Sequence, residues 1–236
     1  MGRVKVVVTT SKKTGEYEKT EEWDTLQKLE SLDEEFYIQL IEDNSTGLSR
    51  VYQEVYEDTD EGIVTFIHDD VMLEDVNFSD KIREGHKTFD MIGLAGATKI
   101  IHPWSPEIAS AWHMVSQEKV TPSGYKGPII KRHISGCVVH QQGDEHWGVA
   151  FGKYPKPCVL LDGIFLSFNL DKTKETEFKF DTDFDFHHYD LAASLAATSN
   201  GLSIGTWPIH VIHKSIGEMD ESWKKSHYKF VKKYGN

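Results

Sequence analysis

Cysteine is scarce in this chain. Only Cys137 and Cys158 occur in 236 residues, so a zinc site built on paired CxxC motifs is excluded. The two read as small buried hydrophobes, with a disulfide as the alternative. No G-x-G-x-x-G follows the first strand-like segment and no G-x-x-x-x-G-K-[ST] appears, which removes the dinucleotide-binding turn and the P-loop. No window approaches the ~20 apolar residues of a membrane span. The start, Met1-Gly2-Arg3-Val4-Lys5, lacks the apolar length and cleavage site of a signal peptide, and Val6 breaks a myristoylation pattern. A soluble, cytoplasmic protein is expected. Positive charge is also short: 26 Lys and Arg stand against 38 Asp and Glu, a net charge of −12. That argues against a nucleic-acid partner. A free anionic nucleotide would need a local cation to bind such a surface.

What the chain does have is alternation. Residues 4–9 read as a strand, 23–32 as a helix with Trp23, Leu26, Leu29 and Leu32 on one face, 36–41 as a strand, and 48–56 as a helix carrying Leu48, Val51, Tyr52 and Val55. Residues 63–67 form a third strand, 76–88 a helix, and 91–95 a fourth strand. Such alternation predicts parallel strands with right-handed crossovers, as in the nucleotide-binding half of a doubly wound domain. Residues 96–132 lack periodicity and read as a long functional loop, whose Trp104 and Trp112 suit either stacking on a sugar or lid and core packing. Strands of mixed direction are expected at 133–140, 159–161 and 163–168. A Leu/Ala-rich helix over 189–199 ends at Asn200-Gly201. Short strands at 202–206 and 209–213 and a helix over 221–234 close the chain. With no linker and no repeats, the expectation is one α/β domain with two lobes, a nucleotide-binding lobe (1–95) and a second lobe (96–236).

Three constellations carry chemistry. The apolar run Ile63-Val64-Thr65-Phe66-Ile67 ends in His68-Asp69-Asp70. In open α/β sheets ligands bind at the carboxyl ends of strands, and carboxylates there suit Mg²⁺ or Mn²⁺ shared with phosphate oxygens. The alternative is an acidic loop capping the next helix. The second is Asp181-Thr182-Asp183-Phe184-Asp185-Phe186-His187-His188-Tyr189-Asp190. Here Asp190, at a helix start, is either an N-cap or a general base facing a cleft. The third is Val211-Ile212-His213, a strand ending in an imidazole that could be a metal ligand or a surface residue. His187-His188 offer an acceptor contact or an exposed loop pair. His102, His113, His133, His140 and His146 show no ligand spacing and read as structural. The lysines of 221–234 (Lys224, Lys225, Lys229, Lys232, Lys233) form a solvated face, or a membrane-surface contact for a lipid-linked acceptor.

The ordered set resembles GT-A fold glycosyltransferases close to family 2, especially a small glycosyltransferase-like bacterial branch, over nearly the whole chain. Glu42-Asp43-Asn44 through Gly47-Leu48-Ser49 matches the family's polar turn before the second helix. Phe66 to Val71 falls at its D-x-D, Leu160-Leu161-Asp162-Gly163-Ile164-Phe165-Leu166 at its D-G strand, Phe186 to Leu191 at its E-D segment, and His213 with Ser215, Gly217 and Trp223 at its late His. The resemblance implies Asp70 and His213 as metal contacts, with Mn²⁺ or Mg²⁺ as cofactor, and Asp69 near the ribose. It implies Thr9 or Thr10, with Asp43, around the nucleobase and ribose, and Asp190 as base. His68, placed on the donor-binding side, stands where the first Asp usually is, Tyr189 replaces the usual Glu, and Ala192 stands where a further Asp is frequent. Asp162, Gly163, Tyr189 and His188 fall on the acceptor side. The activity implied is metal-dependent transfer of a hexose-type sugar, with inversion, from a UDP- or GDP-type donor to a saccharide or lipid-linked saccharide hydroxyl. The rivals are a retaining glycosyltransferase or nucleotidyltransferase on a similar fold, and a catalytically silent domain that binds sugar nucleotides.

Overall fold

The computed structural model describes residues 2–102, 104–107, 109–118, 132–215 and 219–235. The first half follows the expected alternation: β1 (Val4–Thr9), α1 (Glu21–Leu32), β2 (Phe36–Ile41), α2 (Leu48–Asp58) and β3 (Ile63–Ile67). The physics is local. Thr20 accepts the Trp23 N–H at the start of α1, and Glu21, Glu22 and Asp24 place negative charge on its first turn. In α2, Val51, Tyr52, Val55 and Tyr56 share the buried face. All five residues of β3 are buried, as befits a strand covered on both faces. Burial of each large side chain there contributes roughly 1.5–3 kcal/mol.

From β3 onward the chain departs from simple winding. A short β4 (Val71–Leu73) follows at once, then α3 (Phe78–Gly85), β5 (Met91–Gly93) and β6 (Ala95–Ala97). The expected strand 91–95 is therefore two strands, split at Leu94 between two sheets. The expected loop 96–132 contains β6 and a turn of helix, α4 (Trp112–Val115), and in part lies outside the described residues. Then come β7 (Ile134–Gln142), β8 (Glu145–Gly152), β9 (Lys156–Pro157), β10 (Leu160–Leu161), β11 (Phe165–Asn169), a turn of helix α5 (Leu170–Thr173), α6 (Tyr189–Ser199), β12 (Ile204–Thr206), β13 (Val211–His213) and α7 (Glu221–Tyr234). The β7–β8 hairpin escapes sequence reading because β8 is mostly exposed and shows no buried face.

One sheet runs β2-β1-β3-β11-β5-β12-β9 and the other β10-β6-β7-β13-β4, with β8 on β7. Parallel pairing holds for β2, β1 and β3. The neighbour of β3 on its other side is β11, antiparallel, inserted from far along the chain before β5. The first sheet thus draws strands from both halves of the sequence. An antiparallel β11 starts where β3 ends, with Phe165 opposite Ile67 and the His68 N–H on the Ile164 carbonyl. In the second sheet β13 lies antiparallel to β4 and parallel to β7, which sets His213 opposite Val71 and also opposite His140. Gly136 permits the crossing of the two sheets: its φ is +113°, and a Cβ there would strike the Leu94 carbonyl and approach Ala95 Cα to 2.7 Å.

A single connected core links both sheets. Tyr52 stacks on Phe66 at 4.2 Å between ring centroids, and Phe168 and Phe180 pack edge-on against Phe66. Both cysteines are free. No helix is long and apolar enough to cross a membrane among the described residues.

Candidate active site

Three strand ends converge. Thr9 ends β1 and Thr10 follows it, Asp43 follows β2 and His68-Asp69-Asp70 follows β3. Thr10 Oγ1 donates to Asp69 Oδ2, which Lys12 Nζ also approaches at 3.4 Å. The Asn44 N–H bonds the Thr10 carbonyl at 3.0 Å, tying the first two strand ends together. Asp43 has a φ of +52°. Its carboxylate accepts from Lys13 Nζ at 2.6 Å and from Thr14 Oγ1 at 2.9 Å. The Lys13 ammonium holds its carboxyl below the usual range. Among the described residues Thr9 Oγ1 is buried with no hydrogen-bond partner.

Asp70 and His213 are brought together by the β4–β13 register, and the Lys214 N–H bonds the Asp70 carbonyl at 2.9 Å. His213 Nε2 lies 3.3 Å from Asp70 Oδ1 and 3.2 Å from Ser215 Oγ. Burial alone would raise the Asp70 carboxyl. Its hydrogen bond with His213 and the nearby imidazoles, with help from Ser215, instead hold it well below the ordinary range. Among the described residues, His68, Asp70 and His213 are the one group of three metal-capable side chains whose ligand atoms all lie within 4.8 Å of one another. Among the described residues His213 Nδ1 is buried without a hydrogen-bond partner, and a set of two imidazoles and a carboxylate fits a divalent cation.

Asp190 sits in the first turn of α6, where His188 is the cap residue in a left-handed conformation, φ +64°. The Asp190 carboxylate accepts the Gly163 N–H at 3.1 Å. Burial, and then the charge of Asp162, push it up to about 7. Asp162 is held by Trp112 Nε1–H and by the Ile164 N–H at 3.0 Å. Gly163 is required by close approach: a Cβ there would collide with Tyr189 Oη, reach Cζ at 2.8 Å and Asp190 Cβ at 3.0 Å. Gly163→Ala is expected to cost about 1–3 kcal/mol of stability and to lower turnover by displacing Asp190; melting temperature and kcat of the one variant check both.

Two cavities meet here. One, of about 400 Å³, is lined by His68, Trp112, His113, His140, Asp162, His213 and Ser215 with the apolar residues Val138, Val149, Phe151 and Ile164. The other, of about 360 Å³, is lined by Asp190, Phe186, His187, His188 and Trp223, and shares His68, Trp112, His113 and Asp162 with the first. The hydrogen-bonded Trp112–Asp162 pair is part of both walls.

The structure thus gathers Asp70, His213, His68, Asp162, Gly163, His188 and Asp190 around one junction, with Thr9, Thr10, Asp43 and Asp69 at the neighbouring strand ends. Tyr189 departs from its expected acceptor contact. It is buried, and its hydroxyl lies between His68 Nε2 (2.7 Å) and the Gly163 carbonyl (2.9 Å), behind the cavity wall. His188 is buried as well: its Nδ1 meets Ser226 Oγ at 2.9 Å, and burial drives it down to about 3. Gly217 lies outside the described residues. Spacing set aside His113 and His140, yet both line the first cavity; the β7–β13 register is the signal that brings in His140, and it is invisible locally.

A family model described as a glycosyltransferase like family matches residues 6–234. A comparison with curated proteins finds no match. Solved structures with a related shape include A197 from STIV, at 10% identity over 90% of this chain and 82% of that one, TM-score 0.41. A CMP:2-keto-3-deoxy-manno-octonic acid synthetase complexed with CTP matches at 10% identity over 98% and 100%, TM-score 0.40. An inositol-1-phosphate CTP transferase from T. maritima matches at 7% over 98% and 97%, TM-score 0.40.

Proposed function

Because this chain belongs to the glycosyltransferase-like family, we propose that it transfers a sugar, with inversion, from a nucleoside-diphosphate donor to a saccharide hydroxyl. The observation that carries this is the junction itself: the His68, Asp70 and His213 group and the Asp190 carboxylate open on adjoining cavities with a common wall. Asp70, His213 and His68 would hold Mn²⁺ or Mg²⁺, whose chemistry is to neutralise charge on a departing diphosphate. Asp69, which Thr10 and Lys12 hold, accepts a ribose hydroxyl of the donor in this reading. Thr9 and Asp43 complete the nucleoside end. Asp190 takes the proton of the acceptor hydroxyl, and the Gly163 N–H holds its carboxylate in place. Attack from the Asp190 side, opposite the leaving group, inverts the anomeric centre. Asp162, Gly163 and His188 form the acceptor edge, where aromatic Phe186 and Trp223 can face a sugar ring.

The acceptor in this reading is a saccharide, free or lipid-linked. Lys224 and Lys233 of α7 pair with Glu221, Asp181 and Asp183 of the protein itself, so any contact with lipid headgroups falls to the remaining lysines, and vesicle co-sedimentation reads it out.

A thermal-shift panel of nucleoside diphosphates with and without Mn²⁺ tests the function. One of UDP or GDP is expected to stabilise the protein only when the cation is present, by about 2.7 kcal/mol at 100 times its Kd. Chelator-treated protein should stay folded, since the core does not depend on the ion. Donor hydrolysis then follows; release of pyrophosphate would instead indicate a nucleotidyltransferase, and silence across all donors a binding domain.

A further inference from the structure

The buried hydroxyl of Tyr189 has one proton, directed to the Gly163 carbonyl at 2.9 Å. Toward His68 Nε2, at 2.7 Å, the same oxygen must therefore accept. Nε2 then carries the imidazole hydrogen, and Nδ1 keeps a free lone pair with no hydrogen-bond partner among the described residues. An outer partner that dictates which ring nitrogen is bare is the arrangement that orients metal-bound histidines. The phenol is held in turn: its ring packs edge-on against Tyr52 at 5.6 Å, and Gly163 admits it because no Cβ intervenes.

We propose that Tyr189 is a positioning residue that presents His68 Nδ1 to a cation held with Asp70 and His213, and that this two-imidazole, one-carboxylate set selects Mn²⁺ and later first-row divalent ions over Mg²⁺. Magnesium prefers oxygen ligands in near-octahedral array and gives up water reluctantly. Imidazole suits the transition ions, whose affinities for nitrogen sites rise along the row. The inference rests on the proposed cation site, yet it concerns binding alone and needs no sugar transfer.

The test is calorimetric titration of the chelator-treated full chain with Mn²⁺ and with Mg²⁺, joined to pulsed electron paramagnetic resonance of the Mn²⁺-loaded protein. Two imidazole ¹⁴N couplings and at least a ~10-fold preference for Mn²⁺ are expected. Tyr189→Phe, which keeps the ring in its aromatic pack, should weaken Mn²⁺ about 10–100-fold and reduce the His68 coupling. His68→Asp should leave one ¹⁴N coupling and narrow the preference for Mn²⁺. Equal affinity for the two ions, a single coupling in the parent, or a Tyr189→Phe protein with parental Mn²⁺ affinity overturns the inference. Mn²⁺ binding as expected, but with no nucleoside diphosphate stabilising the loaded protein, would remove the transferase reading and leave this one standing.

Discussion

Asp190→Asn is expected to lower kcat by about 10²–10⁴-fold, the span that a positioned general base contributes, while Mn²⁺ binding remains parental. The substitution keeps the shape and the acceptor for the Gly163 N–H, so only the proton-accepting capacity is lost. A second signature accompanies it. The carboxyl sits near 7 in the folded protein against an ordinary 3.8, through burial and the charge of Asp162. Parent kcat should therefore rise with pH up to about 7 and level off above, where the base is ionised. Stability runs the other way. A raised folded value means that stability is fully present below about 4 and is lost as pH climbs to about 7. The amide has no such slope, so Asp190→Asn should be more stable than the parent above pH 7, by on the order of 2–4 kcal/mol. Urea melts at pH 5 and pH 8 read the gap; a variant with parental turnover would remove Asp190 from the base role.

Asp70→Asn carries the other large effect. It deletes the one carboxylate of the group and leaves two imidazoles. Mn²⁺ affinity is expected to fall by at least ~100-fold, beyond the 10–100-fold typical of losing an outer partner, and nucleoside diphosphates should cease to stabilise the protein in the presence of Mn²⁺. Calorimetric titration is the measurement of choice, because the substitution also breaks the Asp70–His213 pair and so moves the melting temperature for a separate reason. Parental Mn²⁺ affinity in this variant would place the cation elsewhere.

Much of this site was legible from local pattern. Asp70 stands out because an apolar five-residue strand stops against it, and Asp190 because a Leu/Ala helix starts there. The strands through β3 and the helices α1, α2, α6 and α7 were readable for the same reason, since each buries one face or all of itself and the period survives in the residues. Strand 91–95 misled because its residues are apolar throughout; only the crossing at Leu94 divides them between sheets. The resemblance puts Tyr189 on the acceptor side because it stands where the family's E-D segment has its Glu, one residue before Asp190. A helix turns about 100° per residue, so adjacent side chains face different surroundings, and Tyr189 faces inward to His68 and Gly163.

By itself the sequence determined the strands through β3 and the longer helices, the strand-end and helix-start residues, and the acidic surface that calls for a cation if a nucleotide is to bind. Those properties arise from near neighbours, through periodicity, capping and charge count. Tertiary structure alone decided which of them meet. The antiparallel insertion of β11 carries Asp162 and Gly163 to the end of β3, and the pairing of β13 with β4 and β7 carries His213 to Asp70 and His140. Register between strands distant in the chain has no local code, because each pairing is chosen by the burial of whole faces at once. The His-Asp-Asp stretch therefore joined a metal-capable group of three only when folding supplied His213, and His68 met its phenol partner only from more than a hundred residues away.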